Sequence, residues 1–224
     1  MQIVVHHLKQ SRSHRILWLL EELGQAYDIV EYARDPKTMR AGPELRALHP
    51  LGKSPLVELD GIVLAESGAI VEELVDAFDI EGTLRPKSGT EAHRRYRYFL
   101  HYAEGSLMTP LLVALLTSQV RKAKLPFFVR PVASRVADGI DDKYTKGELD
   151  AHFAFLEGHL AAHSWFAGDA FSAADVQMSY GLLAALARGG VGDRPQLARW
   201  VTQIEERPAY QRAVERGGPP LPPG

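Results

Sequence analysis

The stretch Leu48-His49-Pro50-Leu51-Gly52-Lys53-Ser54-Pro55-Leu56-Val57, with Glu66-Ser67 following eleven residues after Pro55, decides the fold of this chain. It reads as a turn, a strand entered through a proline, a second short strand, and a helix that opens on an acid and a hydroxyl. Proline is accepted at the start of a strand because no ladder N–H is needed there. The arrangement sets exposed backbone beside a helix N-terminus, where unpaired N–H groups and the helix dipole favour an anion. That equipment suits a small peptide with a free amine and a free carboxylate. If the Ser54–Pro55 bond is cis, the N–H and C=O of Ser54 face sideways and a peptide can pair there like an added strand. The sequence leaves the isomer open.

Working outward, the first 80 residues alternate strand and helix signals. Gln2–His6 is a short β-branched run. After a polar loop, Lys9–Ser13, residues Ile16, Leu17, Leu19, Leu20 and Leu23 keep helical spacing, with Glu21-Glu22 outward and Gly24 at the stop. Tyr27–Tyr32 is strand-like, and Asp35–Leu48 is irregular to helical, punctuated by Pro36 and Pro43. Leu56–Leu59 and Ile62–Leu64 flank Asp60-Gly61, a hairpin signal. Ser67–Phe78 is helical again. The order β-α-β-α-β-β-α implies a partly parallel sheet with an antiparallel hairpin edge.

Composition shifts at Asp79–Thr90, which carries Gly82, Pro86 and Gly89. The expected organisation is an α/β domain over 1–80, a linker over 81–90 and an all-helical domain over 91–224. In the second domain Glu91–Ser118 is a long amphipathic stretch, bent near Pro110. A helix is expected near Val132–Tyr144, and Thr145-Lys146-Gly147-Glu148 reads as a capping box opening another through about His159. Ser172-Ala173-Ala174-Asp175 is a similar start before Val176–Leu186. A last helix spans about Pro195–Glu206, and the Pro/Gly-rich tail Gly217–Gly224 reads as surface or disordered chain.

Composition excludes several functions. At 224 residues, 46% hydrophobic and 24% charged, the chain can bury a substantial core. A net charge of −2 gives no field for nucleic acid or anionic membrane. Without cysteine there is no disulfide, thiolate zinc site or CxxC chemistry, so any thiol must come from a substrate. No metal site is expected: His6 and His7 are adjacent and point to opposite faces of a strand, and His152 and His159 lack a third ligand. No signal peptide and no run of 18 apolar residues is present, so a cytoplasmic protein is the expectation.

Two further features carry possible chemistry. Ser11-Arg12-Ser13-His14-Arg15 lies between the first strand and the first helix. Ser11 or Ser13 can simply cap the helix; alternatively one caps while the other points its O–H at a bound anion. Likewise Glu66-Ser67 can be a cap with an acid in the first turn, or Ser67 can hold a carboxylate while Glu66 holds an ammonium.

Together these segments resemble the cytosolic glutathione transferase family, over nearly the whole chain. The most specific match is His49-Pro50-Leu51-Gly52-Lys53-Ser54-Pro55 with Glu66-Ser67, although the family usually has Asn where this chain has His49. Trp165-Phe166-Ala167-Gly168-Asp169 followed by Ser172-Ala173-Ala174-Asp175 is similar to the family's buried capping box. Ser11 through Leu23, and His101-Tyr102-Ala103-Glu104-Gly105-Ser106-Leu107, look most similar to the serine-type bacterial and fungal group.

The resemblance implies a thioredoxin-like N-terminal domain, an all-helical C-terminal domain and a homodimer that uses glutathione as co-substrate and no metal. It implies that Ser54, before a cis-Pro55, pairs with the cysteinyl part of glutathione, that Glu66 and Ser67 hold its γ-glutamyl ammonium and carboxylate, and that Lys53 lies near the glycine carboxylate or the glutamyl end. Ser11 matches the catalytic serine, with Ser13 as the fallback. The electrophile, a small hydrophobic molecule, is expected against Tyr102, Ser106, Leu107 and Leu111. Glu104 is a candidate to reach across a dimer interface. The implied activity is conjugation of the glutathione thiolate. The alternatives are a glutathione-binding or regulatory protein of the same fold, or glutathione-dependent peroxide reduction.

Overall fold

The structure is a computed structural model that describes residues 1–35, 38, 40–187 and 192–221. Pro36 and the last prolines of the tail lie outside the described residues. Four strands form one sheet: β1 (Ile3–Leu8), β2 (Asp28–Tyr32), β3 (Leu56–Leu59) and β4 (Ile62–Ala65), in the order β2-β1-β3-β4. β1 and β2 are parallel, and β3 is antiparallel to both β1 and β4. The β3 ladder begins at Leu56, opposite His6 and Ala65, so the backbone of Ser54 lies beyond the ladder. The Ser54–Pro55 peptide bond is cis.

Helices α1 (His14–Glu22) and α3 (Ser67–Phe78) lie against the sheet, and α2 (Pro43–Leu48) closes a small second cluster of Leu8, Leu45 and Leu56. α1 keeps its apolar spacing, and every residue from His14 to Leu20 is buried. The reason is a helix not expected from sequence, α10 (Pro208–Gly217), which covers α1. Glu21 and Glu22 therefore do not face outward. Their side chains are 11% and 9% exposed and take ion pairs from Arg212 and Arg216 of α10 and from Arg207 just before it.

The remaining helices are α4 (Glu91–Tyr102), α5 (Met108–Lys122), α6 (Arg130–Ile140), α7 (Lys146–Ala162), α8 (Ala173–Ala187) and α9 (Pro195–Glu205). α4 and α5 form one helix joined by a π turn over Ala103–Leu107. Pro110 cannot donate to the carbonyl of Ser106, and the helix absorbs the gap with this wider turn instead of breaking. A second π turn, Asp141–Thr145, joins α6 to α7. Thr145 is buried inside that continuous helix, so the expected capping box there does not form. By length and composition Glu91–Lys122 could cross a membrane, its most apolar 18-residue window having a mean hydropathy of 1.3. Here its inner side packs on α8 and its C-terminal half on α6.

α8 is the axis of the helical domain, buried along nearly its whole length. Its start is held as expected from Ser172 to Asp175: the Asp175 carboxylate accepts the N–H of Ser172 and Phe166, the Ser172 hydroxyl and the Trp200 indole N–H. One core of buried side chains runs from Val5, Trp18 and Ile70 through Phe99 and Leu182 to Trp200, joining both halves of the chain.

Candidate active site

The loop after β1, the turn before β3 and the start of α3 meet at one cavity of about 610 Å³. Its walls include Ser11, Arg12, Lys53, Ser54, Pro55, Glu66 and Ser67. All but Arg12 are residues expected from sequence, five for binding and Ser11 as one of the two candidate serines. Arg34, Arg40, Arg46 and His49 add to the rim. The cleft is basic with two carboxylates, Glu66 and Glu104, set into it, which suits a small anion that also carries one ammonium.

Ser67 is 5% exposed and sits on two donors. Gln177 of α8 gives its amide N–H to the Ser67 oxygen at 3.1 Å, and Arg15 gives a guanidinium N–H at 3.4 Å. With its lone pairs so engaged, the Ser67 hydroxyl keeps its own proton to donate into the cavity. Glu66, one residue earlier, has φ 70 and ψ 117, a left-handed conformation rare for a residue with a Cβ. Strain of this kind collects at sites that hold a ligand, and here it lies between the end of β4 and the first turn of α3.

Ser11 and Ser13 separate cleanly. Ser11 lines the cavity, its Oγ 3.3 Å from Ser54 Oγ. Ser13 is fully buried behind it, 2.9 Å away. Neither hydroxyl caps α1 in the expected way. The Ser13 N–H donates to Ser11 Oγ at 3.2 Å, and the Ser13 hydroxyl lies 2.8 Å from His7 Nδ1.

A cluster that sequence reasoning missed stands beside them. Arg15 is 1% exposed and donates to Glu104 at 2.5 Å, and Arg12 donates to both Glu104 oxygens at 3.0 Å. Both guanidiniums lie over the Tyr180 ring, at 5.2 and 5.6 Å. Burial would raise the Glu104 carboxyl pKa, but the Arg15 and Arg12 charges outweigh it and hold it below the usual carboxylate range. Glu104 thus pairs within its own chain. It gets there through the π turn, whose extra residue shifts the helical phase. The one sequence signal was Arg15 itself, a charge inside an apolar helix face.

None of the four residues expected to wall an electrophile pocket lines this cavity. Leu107 and Leu111 are buried against Gly181 of α8. Tyr102 hydrogen-bonds His152, and with Ser106 it borders a different hollow on α4, beside His93, Arg97 and Tyr98. The cavity meets the long helix instead at Glu104 and Leu112. From Leu112 an exposed apolar row continues through Leu116 and Val120 on α5. Val132, Val136 and Ile140 repeat that spacing on α6, also exposed. Thr117 and Arg121 bond Asp141 and Asp138 across the antiparallel pair. The positions preceding these partners therefore fall on one side, and the two apolar rows share a face.

Comparison with known proteins agrees with this layout. The family model for the glutathione S-transferase N-terminal domain matches residues 2–75, and that for the C-terminal domain matches residues 116–208. The chain is 36% identical to glutathione S-transferase 1 of Saccharomyces cerevisiae, over 96% of this chain and 94% of that protein. It is 37% identical to glutathione S-transferase 3 of Schizosaccharomyces pombe, over 96% and 87%. A crystal structure of a glutathione S-transferase from Actinobacillus pleuropneumoniae superposes with a TM-score of 0.81 at 34% identity, covering 96% of this chain and 93% of that one. The α/β half with its cis-proline turn, the helical half around α8 and these matches place the chain in the glutathione S-transferase family.

Proposed function

We propose that this protein transfers the thiolate of glutathione to small apolar electrophiles, with Ser11 as the group that stabilises the sulfur anion. The observation that carries this reading is the convergence of Ser11, Ser54, Glu66 and Ser67 on one basic cavity. In it the γ-glutamyl carboxylate takes the Ser67 hydroxyl and the α3 N-terminus, Glu66 takes the ammonium, and the Ser54 backbone pairs with the cysteinyl unit. That leaves the thiol beside Ser11.

A free thiol has a pKa of about 8.5, so little thiolate exists at neutral pH. A hydroxyl donor and the positive end of α1 both favour the anion and lower that value. The anion then attacks the electrophilic carbon in a direct displacement or addition. The apolar face from Leu112 along α5 and α6 adjoins the cavity and receives the electrophile, since burying apolar surface there requires no specific polar partner. Removal of one such preorganised donor costs roughly 10²-fold in rate. Ser11→Ala is therefore expected to lower kcat with saturating glutathione by about that factor. Unchanged turnover would reject Ser11.

We place the two domains on either side of the segment 81–90, and the protein in the cytoplasm as a homodimer. The hollow on α4, flanked by the exposed rings of Tyr98 and Phe155, is the face that suits a second copy.

A further inference from the structure

The turn between α5 and α6 presents two aromatic rings to solvent. Phe127 is 81% exposed and Phe128 68%. The rings lie edge to face on each other, with centroids 5.5 Å apart. The turn that carries them is tied down. The Val129 N–H donates to the Pro126 carbonyl, the Leu125 N–H to the Ala123 carbonyl and Arg130 Nε to the Leu125 carbonyl, each at 2.9 Å. Large apolar side chains held this far out are what a globular protein keeps for a partner. Behind them the exposed rows of α5 and α6 extend the apolar surface, from Val120 and Val132 back to Leu112 and Ile140.

Charge is sorted at the same end. Between Glu104 and Asp138 the chain holds no acid, yet it holds Arg121, Lys122, Lys124, Arg130 and Arg135. Arg121 is paired to Asp138 and Asp141. The other four are exposed and make no ion pair among the described residues. The whole chain carries −2, so the expectation of no field toward an anionic membrane averages over a basic tip and an acidic remainder. An anionic surface turns such a molecule tip first. A second copy of the chain meets the tip badly, because an isologous contact sets the same cations against themselves. A phospholipid surface answers both features: rings enter the apolar side of the interface while long Lys and Arg side chains reach back to the phosphates. A fluid layer also needs no shape complementarity to two projecting rings.

We propose that the α5–α6 tip docks this protein on anionic phospholipid bilayers, with Phe127 and Phe128 inserted at the interface and Lys122, Lys124, Arg130 and Arg135 on the headgroups. The contact is peripheral and reversible. It sets the apolar face of α5 and α6 against the phase in which apolar electrophiles dissolve, but it stands apart from the transferase reading, since binding is measured without turnover. The test is cosedimentation of the full chain with vesicles of phosphatidylcholine alone and of phosphatidylcholine mixed two to one with phosphatidylglycerol. Binding to the anionic vesicles is expected to be at least about tenfold tighter than to the neutral ones and to be lost at high salt. Lys122→Glu with Lys124→Glu is expected to weaken it by more than about twentyfold, at about fivefold for each charge removed. Phe127→Ser with Phe128→Ser is expected to weaken it by more than about tenfold, with the thermal midpoint unchanged. Phe127→Trp keeps insertion testable if the paired variant does not fold: its fluorescence should be quenched by bromine-labelled acyl chains in anionic vesicles. Absence of binding to anionic vesicles at low salt overturns the proposal. Equal binding to both kinds of vesicle, or unchanged binding in the paired Phe variant, overturns the role of the tip. No vesicle binding, together with a smaller sedimentation coefficient of the free protein in the paired Phe variant, assigns the face to a second copy instead.

Discussion

At the scale of single residues, Arg15 and Glu104 carry the largest electrostatic stake. Arg15 is buried with its Nε and Nη2 unpartnered, so Glu104 and the Ser67 oxygen are the acceptors its guanidinium has. Removing one partner of a buried pair costs far more than the pair is worth, because the other charge stays desolvated. Glu104→Ala is expected to lose about 3 kcal/mol of stability in urea denaturation, with Glu104→Gln losing less because the amide oxygen still accepts. Pro55, Glu66 and Ser67 were legible in the sequence because their placement depends on neighbours a few positions away. Glu104 and His7 were not: their partners lie 89 and 210 residues off, and no local pattern encodes a contact at that range.

At the scale of elements, the start of α8 and the two π turns behave differently. The α8 start was readable because Ser172 and Asp175 bond within one turn. Burial pushes the Asp175 carboxyl up to about 6, while its N–H and O–H donors pull the other way. Asp175→Asn would turn an amide N–H₂ toward donors that need an acceptor. It is expected to cost about 2–4 kcal/mol, read as a lower urea midpoint with an unchanged m-value. The π turns carry no such local signature. Thr145-Lys146-Gly147-Glu148 has the letters of a helix start, yet α6 runs on through it, because tertiary packing buries Thr145 inside a continuous helix. In the first π turn, Ala103–Leu107, Glu104 faces the cavity with Leu112 beyond it, while Leu107 and Leu111 pack inward against α8.

At the scale of the whole molecule, the buried histidines make stability depend on pH. Burial lowers the His6, His7 and His159 pKa values, and takes His14, packed on Tyr210, from 6.5 to about 3. The unfolded chain therefore binds protons at these rings near pH 6.5, where the folded chain does not. The contribution of these rings is full above about pH 6.5 and falls as pH drops toward 3, opposed in part by Asp175, which takes up a proton near pH 6 in the folded chain and only near 3.8 in the unfolded one. Each such ring contributes a slope of up to about 1.4 kcal/mol per pH unit. Urea midpoints measured from pH 7.5 downward are expected to fall in that window, and His14→Phe, which keeps the ring packing without the proton, should make the slope shallower.

The docking of α10 on α1 also bears on how the protein is made. α1 and the loop before it leave the ribosome some two hundred residues ahead of Gly217. The sheet can pair early, since its strands all lie within the first 65 residues. Until Gly217 arrives, however, the buried face of α1 stays uncovered and the His7 ring has no carbonyl to face. A nascent chain can thus pair its sheet while the inner face of α1 still lacks its cover, and that face is closed only when synthesis has passed the end of α10.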